Sequence, residues 1–222
     1  AVTNLELVRQ IAERIQANLP NVKLVVIIRN QEDMLISRYL QYVLQGGTFT
    51  PEAFYAALGE NDFRAYADYR YGKVIEVLWD VFGRDRVLVL MQEELKQGAD
   101  QLLQRLGDFM GHRFTQPEAS GRKKNVGASY KGVRWIRTVN RWWVREVETT
   151  HAPTQTKVPH ALWWGLTVAL RKLDNWLVRQ KEKARLMSPA DRQRLRAAFA
   201  EDNRHLEQLL GRPVKPLGYH YD

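Results

Sequence analysis

Two side chains eight residues apart, Arg29 and Ser37, carry the strongest chemical signal in the sequence. They flank the junction between a short apolar run, Leu24 to Ile28, and a helical pattern that starts just after Asn30. An unbroken run of mostly β-branched residues bounded by polar ones predicts a strand buried on both faces, as in parallel sheets. Arg29 then stands at the carboxyl end of that strand, where open α/β sheets bind ligands. Ser37 lies about two turns into the helix that leaves it. A guanidinium offers charge and a planar fork to a phosphate, and a hydroxyl adds a further hydrogen bond. An arginine paired with a carboxylate beside an ordinary helix serine would leave the same string.

A second group of candidates sits in the loop Gly121 to Lys131, GRKKNVGASYK. Its charge and its glycines suit a segment that closes over a phosphate through side chains and free backbone N–H groups. Lys124, Asn125 and Ser129 are the candidates; a solvated basic loop is the plain alternative.

The elements that must position these groups follow from periodicity and punctuation. Apolar residues at helical spacing predict a helix over 5–18, ended by Leu19-Pro20. After the Lys23 strand, Asn30 is the expected N-cap, and Glu32 and Asp33 suit the first turn of a helix running to Gly46-Gly47. Thr50 and Pro51 start another helix. A third spans about 63–82 and stops at Gly83; its Tyr66, Tyr69 and Tyr71 read as packing residues. Residues 86–91, RVLVLM, give a second buried strand, followed by Glu93 and Glu94 at what reads as a solvated strand end. A helix follows over 101–109. From Val133 to Val147, Val133, Ile136, Trp143 and Val147 form one stripe and Arg134, Arg137, Arg141 and Arg145 the adjacent one. Six of the seven tryptophans fall between Trp135 and Trp176. Tryptophan and arginine at this spacing suit an interfacial helix, or a helix packed on a sheet with its arginines outward, the reading preferred here. Ser188-Pro189-Ala190-Asp191 begins the last helix, which ends before Gly211.

The segment IIRNQEDMLISRY resembles the 3′-phosphate-binding segment of sulfotransferases that use 3′-phosphoadenosine 5′-phosphosulfate (PAPS). Arg29 and Ser37 keep that family's spacing; Gln31 stands where a Pro is usual and Met34 where an Arg is frequent. Gln92-Glu93-Glu94-Leu95, with the helix that follows, is similar to a Tyr-Glu-Asp-Leu motif, with Gln92 in place of a Tyr beside the adenine. The Gly121–Lys131 loop resembles the family's late basic loop, and AAFAEDNRHLEQLLG its closing helix. The four similar segments, 22–39, 86–111, 121–131 and 189–211, stand in the family's order.

That resemblance implies a helix-rich, three-layer α/β fold of the P-loop-nucleotide-kinase-like type. It implies transfer of a sulfuryl group from PAPS to a hydroxyl or amine, with adenosine 3′,5′-bisphosphate as product and no metal. Nothing in the sequence matches the family's loop for the 5′-phosphosulfate, so the parallel sheet is expected to be truncated on its N-terminal side and the isolated chain to turn over negligibly. No catalytic residue is assigned: His112, His151, His160, His205 and His220 all lie outside the family's usual base position. The expected organisation is a nucleotide-binding α/β core over 1–131, a Trp/Arg-rich helical insert over 132–185 and a C-terminal helix over 186–222 packing on the core.

Composition narrows the partners. Cysteine is absent, which excludes disulfides, zinc-thiolate sites and a cysteine nucleophile. No apolar stretch is long enough to span a membrane, no signal peptide stands at Ala1 and no Asn-x-Ser/Thr sequon occurs, so a cytoplasmic location is expected. Of the +9 net charge, +8 falls between Arg113 and Arg145, where nine Lys/Arg face only Glu118. Such a concentration calls for an anionic partner. The expected partners are a small-molecule, glycan or lipid-linked acceptor, with peripheral membrane contact and no nucleic acid. A basic non-enzymatic module for nucleic acid or an anionic membrane is the alternative; it leaves two buried strands, each feeding a helix, without a purpose.

Overall fold

Two parallel strands meet at the turn that carries Arg29. In the computed structural model, which describes residues 4–60, 69–112, 114, 128–146, 155–177 and 183–221, β1 (Leu24–Ile28) pairs in register with β2 (Val87–Met91) from Leu24↔Val87 to Ile28↔Met91. The chain separates into two compact units. The first holds Ala1–Gln31, Leu58–Gly121 and Gln193–Asp222; the second holds Glu32–Ala57 and Arg122–Arg192. The described helices within 132–185 share a unit with residues 32–57, and most of the last helix shares one with the strands.

The first unit is built on the β1–β2 pair. Helix α1 (Asn4–Asn18) enters it, and α4 (Tyr71–Phe82), numbered after α2 (Gln31–Leu44) and α3 (Pro51–Glu60), lies along α1. Ala12, Phe82 and Val87 are buried together, with Ile15, Leu24, Val26 and Leu78 packed around them. Burial of a side chain the size of Phe82 contributes about 2–3 kcal/mol, which makes this cluster the anchor of the sheet. Helices α5 (Glu94–Gln97) and α6 (Ala99–Met110) follow β2, and α6 ends on Gly111 in the left-handed conformation. The last helix, α9 (Pro189–Leu210), starts where expected, with Ser188 Oγ accepting the Asp191 N–H at 3.1 Å. Asp202 of α9 accepts the first-turn amides of α4, Gly72 at 3.0 Å and Lys73 at 3.1 Å. Position 72 must be glycine, because a Cβ there would sit 2.9 Å from the Asp202 carbonyl oxygen.

One expectation about the sheet is corrected. The β2 residues are largely buried, but β1 is buried on one face only: Val25 is 40% and Ile27 62% exposed. Leu24 and Val26 pack on the α1/α4 cluster, Ile28 is buried further along the strand, and the alternate pair points away, which a run of uniformly apolar residues could not announce. Among the described residues the parallel sheet has these two strands.

The second unit is mainly helical. It contains α2 beyond its first residue, α3, then α7 (Tyr130–Trp143), a short antiparallel pair β3 (Val144–Glu146) and β4 (Gln155–Thr156), and α8 (His160–Leu177). Thr50 caps α3, its Oγ1 accepting the Ala53 N–H at 3.2 Å. Tyr39, Tyr42, Phe54 and Tyr55 pack with ring centroids 5.1–6.4 Å apart. Helix α7 packs on α8, not on a sheet as preferred from the sequence, with Val133 and Ile136 buried in its inner face. The two helices are antiparallel. Trp163 at the start of α8 donates its Nε1–H to Asn140 at the end of α7 (2.9 Å), while Asp174 near the end of α8 accepts the backbone N–H of Ser129 (2.7 Å) just before α7. Asn140 also donates to the carbonyls of Val43 and Gly47 at 2.8 and 3.0 Å, so one buried amide ties three segments.

Candidate functional site

The parallel register dictates what surrounds the turn after β1. Ile28 lies level with Met91, and the Gln92 N–H continues the ladder to the Ile28 carbonyl at 2.8 Å. Two residues further on, Asn30 therefore comes level with Glu93. Both its backbone N–H and its side-chain amide donate to Glu93 Oε1, at 3.0 and 2.8 Å. The Tyr219 hydroxyl donates to Glu93 Oε2 at 3.3 Å. Burial, then the Glu93 charge, pushes the Tyr219 phenol pKa up, which keeps it a neutral donor.

Glu93 is a buried structural clamp, which overturns its reading as part of a solvated strand end. Glu94 diverges from it, as adjacent residues should, toward Arg105 (2.7 Å), Arg212 and the Met91 N–H (2.8 Å). Burial alone would raise the Glu94 pKa. The Arg212 hydrogen bond, the Met91 N–H and the two guanidinium charges outweigh it and hold the carboxyl below its ordinary value.

Gln31, where the resembling family has Pro, is also buried. Its Nε2 donates to Asn203 Oδ1 at 2.7 Å and to the Tyr69 carbonyl at 3.3 Å, and Asn203 donates to the His220 carbonyl at 2.8 Å. The amide thus bonds the start of α2 to the last helix and the C-terminal segment, a role proline could not fill. The spacing of Glu93 and Asn203 from the turn, 63 and 172 residues, hid both from sequence reasoning. The parallel register was the one signal that could have found Glu93.

Arg29 is half-buried at the carboxyl end of β1. Beside its backbone N–H lies the buried Tyr71 hydroxyl, whose own proton meets no acceptor among the described residues. Burial pushes the Tyr71 phenol pKa up as well, so it too remains protonated and able to donate. A cation and an unanswered donor at the end of a parallel strand suit an anionic ligand.

The remaining candidates separate. Ser37 is half-buried on α2, in the second unit's share of that helix. Ser129 is 2% exposed. It caps α7 by accepting the Gly132 N–H at 3.2 Å, and its hydroxyl donates to Asp174. It anchors the end of the basic loop to α8. Lys124 and Asn125 lie outside the described residues.

Two clefts carry further charge. In the first unit a cleft of about 460 Å³ is lined by Arg70, Lys73, Asp202, Arg204 and His205, and His205 Nε2 lies 3.3 Å from Glu76. Burial raises the Asp202 pKa against the opposing pull of the two α4 amides. In the second unit Arg141 and Arg145 line a cleft of about 520 Å³ with Thr48, Phe49 and Thr50. Arg134, Arg141 and Arg145 are exposed as expected; Arg137 is half-buried and donates to the Thr48 carbonyl at 3.3 Å.

A parallel strand feeding a helix through a basic turn, with flanking helices, places the chain among α/β folds, whose strand ends are where such sheets take ligands. A family model described as a sulfotransferase domain matches residues 12–150. The chain belongs to the sulfotransferase family. In structure it is similar to a sulfotransferase from Alicyclobacillus acidocaldarius, with a TM-score of 0.54 at 19% identity over 93% of this chain. The match takes in 61% of that protein's length. The likeness establishes the fold. Comparison of the sequence with curated proteins gives no significant match.

Proposed function

We propose that the chain forms the 3′-phosphate-binding and acceptor-side part of a PAPS-dependent sulfotransferase acting on a hydroxyl or amine acceptor. The observation that carries this reading is Arg29 at the carboxyl end of a parallel strand, inside the segment matched by the family. Arg29 and Ser37 grip the 3′-phosphate, and Lys124 and Asn125 close over the nucleotide. Ser129, with its hydroxyl given to Asp174, supports them by holding the loop's end. The donor supplies an activated sulfuryl group. A new bond forms from the acceptor oxygen or nitrogen to sulfur as the bond from sulfur to the bridging phosphate oxygen breaks, and the acceptor proton passes to a base. No residue of this chain is assigned as that base. Donors at the 5′-phosphate offset the charge that collects on that leaving group, and no residue of this chain is assigned to that task.

The acceptor is a small molecule, glycan or lipid-linked group. The cleft lined by Arg141 and Arg145 supports one that carries negative charge. Titration calorimetry with adenosine 3′,5′-bisphosphate tests the nucleotide reading. Arg29→Ala should weaken binding by about 2–5 kcal/mol, the range for breaking a desolvated charge pair. Unchanged affinity would sink it, and salt-sensitive binding to DNA without nucleotide binding would replace it with a nucleic-acid module.

A further inference from the structure

The outer face of the α7–α8 hairpin is apolar, aromatic and basic at once. On α8 the residues turned away from the buried Trp163, Thr167 and Asp174 include Leu162, Leu173, Trp176 and Leu177, with Leu162 61% and Trp176 78% exposed. On α7, Trp135 and Trp142 repeat at an interval of seven, and Trp142 is 73% exposed. The contact seam is known: Gly132 and Asn140 on α7 meet Asp174 and Trp163 on α8. In two antiparallel right-handed helices, the tryptophan column lies about a quarter-turn from that seam, and so does the Leu162/Leu173/Leu177 column. Counting round each helix puts the two columns on the same side of the hairpin. They form one apolar strip along α8, about 22 Å from Leu162 to Leu177 at 1.5 Å per residue.

Charge decides what this strip fits. Lys131 and Arg134 border it on α7, and Lys172 borders it on the far flank of α8; all three are exposed. Helix α7 has no acidic residue, and the single acid of α8, Asp174, is fully buried. The exposed charge on both helices is therefore positive throughout. A protein-binding core is typically depleted of lysine, and its charges tend to be matched by both signs. Tryptophan and leucine rimmed only by Lys and Arg match the headgroup depth of an anionic bilayer, where indoles sit at the boundary and cations meet phosphate. None of the described helices is long and apolar enough to cross a membrane.

We propose that the outer face of the α7–α8 hairpin is a docking surface for an anionic lipid bilayer, lying in its interface. The proposal rests on this face alone and is independent of donor chemistry.

The test is sedimentation of the full chain with phosphatidylcholine vesicles and with vesicles that also contain phosphatidylglycerol. Partition should require the anionic lipid and fall as salt rises. Trp142→Ala/Trp176→Ala should lower it about tenfold or more, with the circular dichroism spectrum unchanged because both side chains are exposed. Arg134→Glu/Lys172→Glu should lower it as well. Arg14→Glu/Arg196→Glu removes the same charge from the other unit's surface and should leave it near wild type. Tryptophan emission should shift to the blue on binding and be quenched by brominated lipid. No partition into anionic vesicles, or an equal loss in the Arg14/Arg196 variant, overturns the proposal. So does a dimer, detected by sedimentation equilibrium, that the tryptophan variant dissociates: the face would then join two copies of the chain.

Discussion

Each of the two units leaves an apolar surface uncovered, and the two surfaces differ in kind. In the first unit it is the β1 face carrying Val25 and Ile27, aliphatic and β-branched. In the second it is tryptophan and leucine on α7 and α8, bordered by cations. A flat β-branched face suits another layer of protein, since its side chains interdigitate with their like. Indoles among cations suit a boundary that is half apolar and half charged. Exposure alone says that a surface wants a partner. Composition says which.

Beneath these surfaces each unit is held in the same way, by a buried carboxylate that gathers donors from separate segments: Glu93 those of Asn30 and Tyr219, Asp174 that of Ser129. The largest effects should come from breaking these clamps. Glu93→Ala and Asp174→Ala should each cost about 3 kcal/mol in urea denaturation, because buried donors lose their acceptor. They should separate in a second readout: Asp174→Ala loosens the hairpin and lowers vesicle partition, which Glu93→Ala leaves unchanged, while both lower nucleotide affinity, Glu93→Ala through the Arg29 turn and Asp174→Ala through the end of the basic loop. If both variants moved both readouts equally, the units would not be functionally distinct.

A smaller effect is expected at Gly132, where a Cβ would lie 2.5 Å from the Asp174 carboxyl carbon. Gly132→Ala should cost about 2 kcal/mol through overpacking at the hairpin seam. Stability at the wild-type level would show that the seam can open without loss.

The surfaces themselves should be nearly silent in stability. Ile27→Ser and Trp176→Ser, both at exposed sites, should change unfolding free energy by under about 0.5 kcal/mol. Only Trp176→Ser should lower partition into anionic vesicles. An equal loss with Ile27→Ser would erase the distinction between the two faces.

The least effect concerns pH. The Glu94 carboxyl has its pKa lowered in the folded state, so its contribution to stability is present above its ordinary value of 4.5 and is lost as pH falls through the lower folded value. Asp202 is shifted the other way, so the cost of keeping it ionised is relieved as pH falls through its raised folded pKa. Denaturation midpoints followed from pH 6 to pH 3 should therefore fall less steeply in Glu94→Gln than in wild type, and more steeply in Asp202→Asn. Parallel slopes in all three would show that neither carboxyl sets the acid limit.

Most single elements could be read along the chain. The β1 strand and the helix after it, the Thr50 and Ser188 caps, the stop at Gly83 and the outward arginines of α7 all follow from local spacing and turn chemistry. Such features depend on neighbours within one or two turns, which the sequence prints side by side. The placement of Arg29 at a strand end was legible for the same reason, and so was the family to which the chain belongs. Tertiary structure alone decided that β1 buries one face, that Gln31 bonds to Asn203, that Ser129 spends its hydroxyl on Asp174, and that the free side of α8 is its apolar one. Each of these depends on which element arrives from far along the chain. A side chain's periodicity says that it has a face; only the packed neighbour determines whether that face meets protein, ligand or solvent.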